Sequence, residues 1–111
     1  MLFRSALRIG NGVSCGHRAI LHACTIEDHV LVGMGACVMD GAVIGTECII
    51  GAYALVPKGT RVAPRSLVLG SPARVIRELT ESEVAGIYSL AQKYVGVARR
   101  YREGGAGSKP S

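Results

Sequence analysis

The sequence predicts a left-handed parallel β-helix followed by one α-helix. Three observations predict it: large aliphatics at a period of six, a second series of small residues four places after each, and a change to helical periodicity near residue 80. The aliphatics are Ile26, Val32, Val38, Ile44, Ile50, Val56, Val62 and Val68. The small or β-branched series is Val30, Ala36, Ala42, Cys48, Ala54, Thr60 and Ser66. Six is a multiple of two, so strand alternation survives within each unit. A triangular coil with one short strand and one corner per unit turns every large aliphatic inward. Each then stacks on its equivalent three units later. The small series fits the tight space beside a corner.

Gly33, Gly45 and Gly51 directly follow an aliphatic and are assigned to the bends. Upstream, Ile9 and Cys15 continue the register, with Val13 and Ala19 at the small places. Between Cys15 and Ile26 the spacing slips by one residue, and Ile20 is taken as the start of the intervening unit. The coil is expected to run from Ile9 to about Ala73 and to end at the turn-forming stretch Gly70-Ser71-Pro72-Ala73. Thr80 and Glu83 have capping-box spacing. Behind them Val84, Ile87, Tyr88, Ala91, Tyr94, Val95, Ala98 and Tyr101 form an apolar stripe, so a helix from about Glu81 to Arg102 should lie along the solenoid. The expected organisation is a lead-in at 1–8, the solenoid and its closing loop at 9–79, a helix at 80–103, and a Gly/Ser-rich disordered tail at 104–111.

Composition narrows the function classes. With 49% hydrophobic and only 19% charged residues, the chain can build a core. No apolar run approaches the roughly 18 residues of a membrane span, so no membrane partner is expected. Met1 to Arg8 is basic and free of acids, but the repeat at Ile9 leaves little room for a targeting segment, and a cytoplasmic location is expected. The net charge of +5 is concentrated late, at Arg74, Arg77, Lys93, Arg99, Arg100, Arg102 and Lys109. Aromatics do not alternate with it as base stacking requires, so it reads as a solvated helix face and no nucleic-acid partner is expected. Cysteines 15, 24, 37 and 48 contain no CxxC pair. Cys15, Cys24 and Cys48 fall on inward places and are read as reduced core thiols.

The candidate chemistry lies in the histidines. His17 follows Cys15 by two and His22 follows Ile20 by two, which places both at the same outward position of successive units. Successive units occupy different faces of the triangle, so the two rings cannot meet on one ion within a chain. Three identical chains around a threefold axis could bring His17 of one against His22 of the next, a shared-metal geometry. His29, beside Glu27 and Asp28, reads as a solvated corner residue.

The stretch Gly16-His17-Arg18-Ala19-Ile20-Leu21-His22-Ala23-Cys24-Thr25-Ile26 resembles the metal-binding segment of the gamma-class carbonic anhydrase-like family. Leu31-Val32-Gly33-Met34-Gly35, Leu69-Gly70-Ser71-Pro72-Ala73 and Tyr94-Val95 resemble that family too, so the resemblance covers about residues 6–103. It implies a homotrimer with zinc, or iron or cobalt, shared between subunits. It also implies hydration of carbon dioxide to bicarbonate by metal-bound hydroxide. His17 and His22 match two of the family's three metal histidines, and Tyr94 could line the site. The third histidine and the arginine, aspartate, glutamine and acidic shuttle of the family's earlier coils have no counterpart here. The chain thus resembles the C-terminal two thirds of a member, with activity expected to be impaired. Two other readings remain open. The loop Gly70-Ser71-Pro72-Ala73-Arg74-Val75-Ile76-Arg77 also resembles the closing loop of hexapeptide-repeat acyltransferases, which use coenzyme A. A trimeric scaffold without chemistry is the third.

Overall fold

A computed structural model describes residues 6–104, with side chains through residue 93. The fold is the expected left-handed solenoid of parallel strands with one C-terminal helix. Its strands are β1 (Arg8–Ile9), β2 (Ser14–Cys15), β3 (Ile20–Leu21), β4 (Thr25–Ile26), β5 (Leu31–Val32), β6 (Cys37–Val38), β7 (Val43–Ile44), β8 (Ile49–Ile50), β9 (Leu55–Val56), β10 (Arg61–Val62), β11 (Ser66–Gly70) and β12 (Ala73–Glu78). The helix α1 spans Glu81–Gly104. Three sheets form the sides of the triangle. Their strand orders are β1-β4-β7-β10, β2-β5-β8-β11-β12 and β3-β6-β9. All eight periodic aliphatics from Ile26 to Val68 are buried, and they form one core with Val30, Ala36, Ala42, Cys48 and Ala54.

The corners explain how two-residue strands can turn so tightly. One residue at each adopts a left-handed backbone conformation. These are Gly12, Arg18, Ala23, His29, Gly35, Gly41, Glu47, Tyr53, Gly59 and Arg65, with φ between 50° and 74°. Gly33, Gly45 and Gly51, assigned above to the bends, are not among them. At Gly33 a Cβ would lie 2.6 Å from the Ala52 backbone nitrogen, and at Gly45 2.8 Å from that of Pro64. These glycines let adjacent coils approach each other.

The register also relocates the slip. Ile9 pairs with Ile26, Cys15 with Val32, Leu21 with Val38 and Ile26 with Ile44. The first coil is therefore one residue shorter than the next, and the missing residue belongs to the corner between Leu21 and Ile26. Leu21 turns toward the core, and Ile20 points out at 55% exposure. Cys15 is on an inward register, as expected, but it is exposed, so it is not a core thiol among the described residues. Cys24 and Cys48 are buried, and burial pushes both thiols up.

The coil does not simply stop at Ala73. Strand β12 folds back antiparallel on β11, pairing Gly70 with Ala73 and Ser66 with Glu78. Leu79, Val84 and Ile87 then pack on the outward residues Leu31, Ile49 and Leu67 of the second sheet. The capping box forms as its spacing predicts. The Thr80 backbone N–H donates to the Glu83 carboxylate at 2.8 Å, and the Glu83 N–H donates to Thr80 Oγ1 at 3.2 Å. Arg77 adds two hydrogen bonds to the same carboxylate, each 2.8 Å. The residues expected to form the disordered tail, apart from Gly104, lie outside the described residues, as do 1–5.

Glu83 gives the fold an acid limb. The Arg77 hydrogen bonds, with the Thr80 N–H behind them, lower its carboxyl from 4.5 to about 2. A depressed folded-state value means the contribution is complete above 4.5 and is lost as pH falls through about 2. Glu83→Gln should therefore lower the Tm at neutral pH. The gap from the unsubstituted protein should close on acidification through that window, as followed by circular dichroism. A gap independent of pH would mean the charge is not what Glu83 contributes.

Candidate functional site

The third sheet, β3-β6-β9, separates the two candidate histidines. His17 lies in the corner entering β3, and His22 in the corner leaving it. Both are exposed. The outward face between them presents Ile20, Cys37 and Leu55, one from each strand. Ile20 and Leu55 are 55% and 37% exposed. This apolar face contrasts with the first sheet, whose outward residues are Arg8, Thr25, Val43 and Arg61. It contrasts also with the second, which α1 covers. A groove of about 360 Å³ runs along the His22 edge, lined by Ile20, His22, Cys37, Met39, Asp40 and Lys58.

The matched repeat phase assigned to His17 and His22 does not hold. His17 follows the inward-register Cys15 by two, whereas His22 follows the inward Leu21 by one, because the short corner begins there. The two rings nevertheless flank the same sheet at the same level, because both belong to the first coil. Within one chain they sit on different corners. Among the described residues no three His, Cys, Asp or Glu side chains converge as a metal cluster. Tyr94 falls in α1, but its side chain lies outside the described residues.

Sequence reading missed the partners of His22 and His29, for the same reason. Corner residues one coil apart stack in columns, and such neighbours are distant in sequence. His22 Nδ1 is hydrogen-bonded to Asp40 Oδ1. That bond is the main cause holding the Asp40 carboxyl below the usual range, and the nearby Lys58 charge adds to it. In a second column, His29 is not the solvated residue expected. Its ring stacks on Tyr88 of α1 with centroids 4.1 Å apart, and a Cβ at Gly12 would overlap it. The Tyr88 hydroxyl donates to Glu47 Oε2 at 2.6 Å, and Arg65 Nε donates to Glu47 Oε1 at 2.8 Å. The Tyr88 bond, then the Arg65 bond, lowers the Glu47 carboxyl. This second cluster fastens α1 to the solenoid. The signal for both was the six-residue corner period, which places 22, 40 and 58, and likewise 29, 47 and 65, in register.

Residues 23–58 match the family model described as bacterial transferase hexapeptide (six repeats). Over 87 residues the chain is 56% identical to a Methanocaldococcus jannaschii protein named "Probable carbonic anhydrase", covering 78% of this chain and 55% of that one. Over 93 residues it is 41% identical to mitochondrial gamma carbonic anhydrase 1 of Arabidopsis thaliana, covering 84% and 34%. Among solved structures it is similar to a hexapeptide transferase family protein from Anaplasma phagocytophilum. The TM-score is 0.78 and the identity 34%, covering 86% of this chain and 61% of that one. The chain thus spans about a third to a half of the length of these curated relatives. No helix among the described residues is long and apolar enough to cross a membrane.

Proposed function

The chain belongs to the gamma-class carbonic anhydrase-like group of hexapeptide-repeat proteins, and on that premise we propose that it assembles as a homotrimer in which His17 of one subunit and His22 of the next hold a divalent metal ion. The single observation that carries this reading is the placement of both histidines at the two edges of an outward face that is apolar and, among the described residues, uncovered. If that face turns toward a threefold axis, each subunit's two edges meet the opposite edges of its neighbours. Every junction then receives one His17 and one His22. Ile20, Cys37 and Leu55 would bury one another around the axis, which supplies the association free energy.

The donor set fits such an ion in part. Two imidazoles are ordinary ligands for zinc, iron or cobalt, whereas a catalytic zinc commonly has three protein ligands. A bound ion would acidify a water molecule for the hydration of carbon dioxide to bicarbonate. In this chain His17 and His22 bind and orient the ion, and the apolar face limits access of bulk water. With two ligands per ion, affinity should be weak and turnover feeble. An added N-terminal coil carrying a third histidine should raise both.

The test measures bound cobalt(II) or zinc per trimer together with proton release after mixing with carbon dioxide. His17→Ala and His22→Ala should each lower metal affinity by at least ~10-fold, the scale of a lost ligand or its support. Unchanged metal content in both variants would remove the assignment, and a monomer in sedimentation would remove the shared site. A second reading, acyl transfer from coenzyme A, is favoured by the likeness to the Anaplasma transferase-family structure and by the Gly70–Arg77 loop. Coenzyme A binding by calorimetry decides between them. A trimer with neither ligand would be the scaffold.

A further inference from the structure

We propose that Asp40 is a positioning residue for His22, fixing the ring so that Nδ1 carries the proton and Nε2 is the nitrogen presented to a metal ion. This rests on the shared-metal reading for its purpose, though not for its geometry. The hydrogen bond runs from His22 Nδ1 to Asp40 Oδ1. An ionised carboxylate has only acceptors to offer, so the proton of that bond must sit on the ring nitrogen. A neutral imidazole with its proton on Nδ1 has its lone pair on Nε2, the form a metal ion requires. Carboxylates commonly support ligating histidines in this way.

Asp40 is well placed for the role, and packing does not substitute for it. The His22 side chain is 66% exposed, so close neighbours do not hold the ring in one rotamer. Asp40 sits one coil beyond His22 at the same corner, and its backbone carbonyl accepts the Gly59 N–H at 2.9 Å, which ties it to the following coil. Lys58 lines the same groove. The three residues share one column of corners, with the carboxylate one coil beyond the imidazole and the lysine one coil beyond the carboxylate. The nitrogen aimed away from Asp40 is the one available to a neighbouring subunit.

The experiment uses the whole chain, labelled with nitrogen-15, and reads the tautomer of each neutral imidazole from long-range proton–nitrogen correlation spectra without metal. His22 should show the Nδ1–H form. In Asp40→Ala it should revert to Nε2–H, the form that free histidine prefers. In Asp40→Asn, which keeps an oxygen acceptor, it should stay Nδ1–H. The tautomers of His17 and His29 should not change in either variant, which controls for general disruption. Cobalt(II) titration should then show affinity reduced roughly 10- to 100-fold in Asp40→Ala and less in Asp40→Asn. A His22 tautomer that is Nε2–H in the unsubstituted protein, or the same in Asp40→Ala, overturns the proposal. If the unsubstituted protein bound no cobalt, the metal reading would fall, and the tautomer spectra would still decide this one.

Discussion

Ile44→Asp should leave the protein largely unfolded at room temperature. Ile44 has no exposed surface, and its register partners are Ile26 below and Val62 above, both buried. Removing a buried isoleucine side chain costs about 2–5 kcal/mol through lost burial and the cavity left behind. The carboxylate adds the cost of an unpaired polar group in an apolar interior, a further ~1–3 kcal/mol even if it is protonated. The sum approaches the whole stability of a typical domain, about 5–15 kcal/mol. Val43 is the natural control because it is the adjacent residue on the other side of the strand. It pairs with Thr25 and Arg61 on the outward face. Val43→Asp should change stability by less than about 1 kcal/mol, with Arg61 as its neighbour. Comparable losses at both positions in urea melts would show that the alternation of faces is wrong.

Gly33→Ala should be the second most damaging change, by a different mechanism. The added methyl would lie 2.6 Å from the Ala52 nitrogen, 2.8 Å from the Gly51 carbonyl carbon and 2.9 Å from the Ile50 oxygen. All three are backbone atoms of the next coil, so no side chain can swing away. The same coil contact carries the hydrogen bond from Gly33 N–H to Ile50 O, at 2.7 Å. Relief requires the coils to separate, and a loss of about 3 kcal/mol is expected, the upper part of the overpacking range. Gly59 provides the contrast. Nothing lies within 4 Å of its Cβ position, but its φ is +71°. Gly59→Ala should cost about 1–2 kcal/mol from backbone conformation alone. Asparagine, which tolerates the left-handed region, should recover part of that loss at 59 and none at 33. Equal responses to asparagine at the two sites would refute the distinction.

The contrast between these two glycines marks what the sequence could and could not reveal. The core was legible because burial acts on every sixth residue, and the residue types at Ile26 through Val68 record it directly. The helix start was legible because a capping box is a local device, complete within Thr80 to Glu83. Gly33 was noticed for the wrong reason, since a glycine needed for close approach and one needed for a left-handed turn look alike in sequence. The slip near Ile20 was detected but misplaced by a few residues. Either Ile20 or Leu21 could have faced the core, and only the pairing of Leu21 with Val38 decides it. The histidine pair was singled out by resemblance and by a repeat phase that the register does not keep. Asp40 was not, because its relation to His22 exists only after a complete coil has closed. Strand β12 escaped because Ala73–Glu78 continues past a turn that reads as an ending.

The corner columns have a consequence for how such a chain tolerates change in length. Along a column, residues a full coil apart meet as directly as residues four apart on a helix, so the molecule keeps a reading frame. An inserted residue within a strand would shift every later position by one, moving apolar side chains out and corner residues onto flat faces. The same insertion in a corner could be absorbed there, because only one turn would need to lengthen. The His22–Thr25 corner shows the complementary case, doing with one residue fewer what Met39–Val43 does in the next coil. Downstream of it Ile26, Val32 and Val38 are back in step. Length variation in this architecture should therefore collect at corners, and each such event rotates the local set of outward side chains. The short corner that carries His22 is where the frame shifts by one residue, and it is also where the imidazole lies beside Asp40.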